Sequence, residues 1–100
     1  MRQLNVYSIY DAKAKFYGVP FYFETDELAI RVFGDAVNAD PEKSEMAKHP
    51  FDFMLFRIGV YDKVDGTITG EKSPIPVSQG KDVFRPVDNV IQMEIPKSEA

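Results

Sequence analysis

The residues best suited to chemistry lie in one run, AKAKFYGVPFYF, over positions 12–23. Lys13 and Lys15 lead directly into Phe16, Tyr17, Phe21, Tyr22 and Phe23. Cations beside rings are the two ingredients of a single-stranded nucleic-acid surface. The cations meet phosphates, and each base can stack on a ring for about 1–3 kcal/mol. Tyr7, Tyr10 and Tyr61 add rings elsewhere in the chain, and Arg57 and Lys63 add cations. The candidate contact set is therefore Lys13, Lys15, Phe16, Tyr17, Tyr7, Tyr10, Tyr22, Arg57, Tyr61 and Lys63. Aromatic residues also favour strands for packing reasons alone, so Phe21, Phe23, Phe33, Phe53 and Phe56 are read as core. Tyrosines divide more evenly, because the hydroxyl end tolerates water. Arg57 interrupts an apolar strand; it lies at a sheet edge, pairs with a carboxylate, or presents charge to a ligand.

Other chemistries find little footing. The chain has no cysteine, which removes disulfides and thiolate metal sites. His49 is the only histidine and sits in KHP, a capping or turn context. No nucleophile elbow, P-loop or dinucleotide fingerprint occurs. The carboxylates gather at helix caps and on a wet helix face. The sequence reads as a non-enzyme, with no cofactor and no metal.

One hundred residues suit one domain, and the formal net charge is −4. An acidic balance argues against generic duplex binding, whose footprint is basic. The charge is uneven. Arg2, Lys13 and Lys15 against Asp11 leave residues 1–23 at +2, whereas residues 24–45 carry −5 and residues 46–100 carry −1. No apolar run approaches the ~20 residues of a membrane span, and the start reads as no signal peptide.

These residues must be positioned by a small set of elements. QLNVYSIYD (3–11) alternates as a strand, with Leu4, Val6, Ser8 and Tyr10 on one face and Asn5, Tyr7 and Ile9 on the other. DAKAK is a polar connector. A second strand runs from about Pro20 to Glu24, the proline marking its start. TDELAIRVFGDAVN (25–38) is a helix capped by Thr25, with Asp26 and Glu27 at its positive end and Ala29, Val32, Phe33, Ala36 and Val37 as its apolar stripe. Gly34 suggests close packing of that helix against a sheet. Asp40 and Pro41 start a short helix or turn that Pro50 stops. FDFMLFRIGVYD (51–62) is apolar on both faces and therefore central. Phe51, Phe53, Leu55, Arg57, Gly59 and Tyr61 form one face, and Met54, Phe56, Ile58 and Val60 the other. Asp65-Gly66 makes a hairpin turn into a short strand over 67–69. The following Pro/Gly/Ser-rich stretch is mostly loop, with an edge strand at 75–77 and a turn near 82–84. A last strand is expected over 90–95. The whole is an α+β domain over 1–95: a small antiparallel sheet of about four to five strands with one main helix packed on it, then a flexible tail over 96–100.

The motifs VYSIYD, AKFYGVPF, LAIRVFGDAVN and KHPFDFMLFRIGVYD, with the acidic hairpin after them, cover roughly residues 4 to 70. In this order the chain resembles the small non-structural protein of gokushovirus-type microviruses, tailless bacteriophages with single-stranded DNA genomes. KHP…D and its aromatic strand are the most specific part. The resemblance implies a replication-stage, DNA-binding phage protein of the host bacterial cytoplasm. It would favour single-stranded genome synthesis and packaging over duplex replication. It implies no catalytic residues. Single-stranded DNA is the expected partner and a homodimer the expected state. The alternative is a protein–protein adaptor for a phage replication or capsid protein or a host replication factor.

Overall fold

The computed structural model describes residues 2–86. The strand expected over 90–95 and the tail over 96–100 lie outside them. The described part is an α+β fold, a curled antiparallel sheet with one long helix on one face.

β1 (Gln3–Asp11) and β4 (Phe53–Asp62) form the centre, paired along their full length. Both carry apolar residues on both faces, as central strands do. β2 (Phe16–Tyr17) and β3 (Phe21–Phe23) share the other edge of β1. The expected connector thus supplies a strand of its own. The Asp11 carboxylate accepts from the Lys13 and Ala14 N–H groups, and Lys15 takes a left-handed φ of 65° to close the turn. Gly18, Val19 and Pro20 then separate β2 from β3.

β5 (Ile68–Gln79) lies on the outer edge of β4. It merges the two short strands expected over 67–69 and 75–77. The proline-rich stretch between them stays extended, because an edge strand tolerates prolines that a central one would not. Its pairing is irregular: Gly59 faces Gly70 and Arg57 faces Ile75, so residues 71–74 oppose Ile58 alone.

α1 (Asp26–Val37) follows the sequence expectation closely, and the Thr25 hydroxyl accepts from the Leu28 N–H at 3.3 Å. Ala29, Phe33 and Val37 join Tyr7 and Leu55 in the core. Val32 is 44% exposed and stands outside that stripe. Gly34 packs against Val83 of α3 (Gly80–Val83) rather than against the sheet. α2 (Glu45–Lys48) is capped by Ser44, not Asp40; Asp40 instead holds a turn by accepting from the Glu42 N–H. A 3-10 turn (Pro50–Asp52) leads into β4, with His49 at the junction.

One irregularity decides which side chains share a face. Val6 pairs with Gly59, but Tyr7 pairs with Arg57, so Ile58 is an extra residue in β4. Since side chains alternate along a strand, a one-residue bulge flips everything beyond it. Gly59 and Tyr61 therefore lie on the face of Met54 and Phe56, opposite Leu55 and Arg57. The strict alternation expected for residues 51–62 fails at that step.

Candidate functional site

Among the described residues the sheet has a helix on one side only, and its other face is built from rows of paired residues, of which Val6 and Ser8 are buried. Tyr17, Tyr10, Met54 and Gln79 form the first row, and Ser8, Phe56 and Pro76 the second. Tyr22, Val6, Gly59 and Gly70 form the third, and Leu4, Tyr61 and Ile68 the fourth. None of these positions carries a charge, in a chain in which 28% of residues do. Two aromatic clusters stand on the face. Tyr10, Tyr17 and Phe56 meet at centroid distances of 4.8 to 6.3 Å. Tyr22 and Tyr61 meet edge to face at 5.9 Å. Between them the Val6–Gly59–Gly70 row is a saddle of small residues. Gly59 is required there, because a Cβ would stand 2.6 Å from the Thr69 carbonyl oxygen.

Four of the candidate rings thus come together: Tyr10, Tyr17, Tyr22 and Tyr61. Tyr17 and Tyr22 are each 42% exposed, and the other two are half-buried. Phe56 belongs with them, although the sequence places it in the core. Its alternation signal was present in β4, but nothing in the sequence says that one face of this sheet stays bare. Phe16 points the other way. It is exposed, but on the helix side, since adjacent residues of β2 face opposite sides.

Tyr7 leaves the candidate set, being fully buried in the core. Its hydroxyl donates to Asp26 Oδ1 at 2.6 Å and accepts from Asn5 Nδ2 at 3.0 Å. Burial, then the bond to the Asp26 carboxylate, pushes its pKa up to about 12. The folded pKa lies above the ordinary value near 10, so this stabilisation is complete below pH 10 and is lost as pH rises through about 12. Tyr7→Phe will flatten the alkaline limb of a stability–pH profile in that window. At pH 7 it will cost about 1–2 kcal/mol in urea melts, by leaving Asp26 short of a donor. An unchanged alkaline limb would refute the assignment.

Arg57 also leaves the set, for the second of the three reasons its sequence position allowed. Its Nη1 donates to Asp26 Oδ2 at 3.3 Å and its Nε lies 3.7 Å from Glu71 Oε2. It faces the helix side, its charge is matched by two carboxylates, and it crosslinks α1 to the sheet. The remaining cations divide. Lys13 and Lys15 are exposed at the end of β1 next to Tyr17. Lys63 is exposed in the β4–β5 turn at the opposite end, beyond the Arg2–Asp62 ion pair at 2.9 Å. The Asp62 carboxyl is held below its ordinary range, first by the Val64 N–H it accepts from.

Among the described residues no cluster of three or more His, Cys, Asp or Glu is arranged to hold a metal ion. Nor is any helix among them long and apolar enough to cross a membrane.

Residues 4–83 match the family described as Phage ORF5 protein. The chain belongs to that family. It is 42% identical over 62 residues to Protein ORF5 of Chlamydia phage 1, across 60% of this chain and 65% of that protein. The chain thus spans less than two thirds of this curated relative. No solved structure matches. The ORF5 match runs from Leu4 to Val83 and so contains β2 to β5, all of β1 except Gln3, α1 and the rings of the two aromatic clusters.

Proposed function

We propose that this ORF5-family chain is a non-structural protein of a gokushovirus-type microvirus that binds single-stranded DNA without catalysis. It acts in the host bacterial cytoplasm as a homodimer. By coating the displaced viral strand it favours single-stranded genome synthesis and packaging over duplex replication. The observation that carries the reading is the sheet face whose paired rows hold no charged residue and carry two aromatic clusters. A five-stranded sheet that, among the described residues, has its helices on one side and rings on the other suits unpaired bases that stack. A duplex, whose bases are already stacked, gains nothing from it. The overall acidity is compatible with this surface, because the acidic groups of α1 lie across the sheet from it.

The lysines have a secondary part. Lys15 stands at the Tyr17 end, so it contacts a phosphate at one end of the bound strand only, whereas Lys13 borders a depression shared with Asp11, Glu45 and Asp52. With about one phosphate neutralised per chain, the salt slope on a single strand will be shallow, near −0.7. Binding will be dominated by stacking.

Fluorescence anisotropy with a labelled oligonucleotide tests this. Single-stranded DNA will bind and duplex DNA of the same sequence will not. Tyr17→Ala will weaken binding by about 1–3 kcal/mol, or roughly 5- to 150-fold. Lys15→Glu will weaken it less and flatten the salt slope. If no single strand binds even at low salt, the same face serves a phage or host replication or capsid protein, and the adaptor reading replaces this one.

A further inference from the structure

A second surface left open among the described residues occupies the other side of β2. A groove of about 360 Å3 is lined mostly by apolar side chains, Ile9, Phe16, Val19, Phe21, Met46 and Phe53, with the Asp11 carboxylate at its border. Two of its rim residues project almost free: Phe16 is 66% exposed and Val19 86%. The groove runs into a depression bounded by Asp11, Lys13, Glu45, His49 and Asp52. Beyond that stands Phe51, 69% exposed and packed edge to face on Phe84 at 5.8 Å. One end of the molecule is thus a corrugated strip with an apolar knob and hole on one side, mixed charges in the middle and a second ring at the far end.

We infer that this strip is where a second copy of the chain docks, about a two-fold axis through the charged depression. The inference gives the homodimer proposed above its surface and does not depend on what the tyrosine face binds. A two-fold interface brings a patch against itself, so the patch must hold both halves of every contact. This one does. It pairs projecting side chains with a groove large enough to receive one, and it sets Lys13 among Asp11, Glu45 and Asp52. The extent is also suitable. Phe16, Val19 and Phe51 together offer about 400 Å2 of apolar surface. That is roughly half of the ~800 Å2 that each partner buries in a standard interface, leaving the polar rim to supply the rest.

The arrangement leaves the tyrosine faces open. β2 turns Phe16 toward the partner copy and Tyr17 toward the bare sheet face, so the dimer sets two base-stacking faces beside one rim. A single strand long enough to reach both would bind with the added effective concentration of a linked pair.

Sedimentation equilibrium of the protein alone, from micromolar to submillimolar loading, tests the surface. The mass will rise from 11.4 kDa toward twice that value. Phe16→Asp and Val19→Asp will each raise the dimer dissociation constant at least about tenfold, because each places a carboxylate in an apolar contact. Both side chains are exposed, so thermal melts of these variants will match the parent. Tyr17→Ala, on the opposite side of the same strand, will leave dimerisation within about twofold. The inference is overturned by a mass that stays at the monomer value throughout. It is equally overturned by a dimer indifferent to Phe16→Asp and Val19→Asp, or by one that Tyr17→Ala dissolves. A monomeric chain would remove the homodimer and the linked pair of faces but leave stacking on a single face to the anisotropy experiment, so the two readings fail separately.

Discussion

Alanine at position 80 will destabilise the protein by about 3 kcal/mol or more, the top of the range for overpacking. Gly80 opens α3 directly behind β5, pressed on the turn that leads into β4. An added Cβ would stand 1.7 Å from the Pro50 carbonyl oxygen, 2.8 Å from its carbon and 3.1 Å from the Phe53 oxygen. All three are backbone atoms of the segment that starts β4, so no side-chain rotation can relieve the contact. Either α3 lifts off the core, carrying Val83 away from Gly34, or the start of β4 shifts and disturbs the Phe53–Asp11 pairing. In a domain of this size the loss corresponds to a fall in Tm of at least about 12 °C. A Gly80→Ala protein that melts within a few degrees of the parent would show that this packing is not as drawn.

Phe33→Ala will cost about 3–5 kcal/mol, as removal of a fully enclosed phenyl ring does. Phe33 is 1% exposed and lies under α1 against Tyr7, Ala29, Val37 and Leu55. The walls of the resulting cavity are held from both sides. The Tyr7–Asp26–Arg57 bonds tie the start of α1 to β1 and β4, and Asn38 ties its end to Val83 and Arg85. Collapse around the void is therefore restricted, which places the cost toward the upper end. Val32→Ala, one residue earlier but exposed, will change stability by about 0.5 kcal/mol or less. Urea melts of the pair test the burial assignment. Equal losses would mean that α1 is rotated about its axis.

The helix, its cap and most of its core stripe were legible in the sequence because those signals are local. Thr25, the acidic first turn and the spacing of Ala29, Phe33 and Val37 act within a few residues of each other. The two central strands were legible for a similar reason, since apolar residues on both faces require neighbours on both. Phe21 and Phe23 were correctly assigned to packing, whereas Tyr10, Tyr17, Tyr22 and Tyr61 were left divided between packing and exposure. Tyr7 was not separable from them. Its hydroxyl finds Asp26 nineteen positions away, and no local pattern announces that bond. Arg57 was ambiguous for the same reason, as its partners lie on α1 and β5.

What the sequence by itself determined is the kind of object: an acidic α+β domain, one helix on an antiparallel sheet, with seven of its thirteen rings ahead of that helix. Which rings gather on one surface was decided by tertiary structure alone. The extra residue at Ile58 turns Tyr61 over to meet Tyr22, and the two-residue β2 sends Phe16 and Tyr17 to opposite sides. Alternation along a strand is readable from sequence only while the ladder is regular. A bulge is set by the partner strands, and its consequence reaches every residue beyond it.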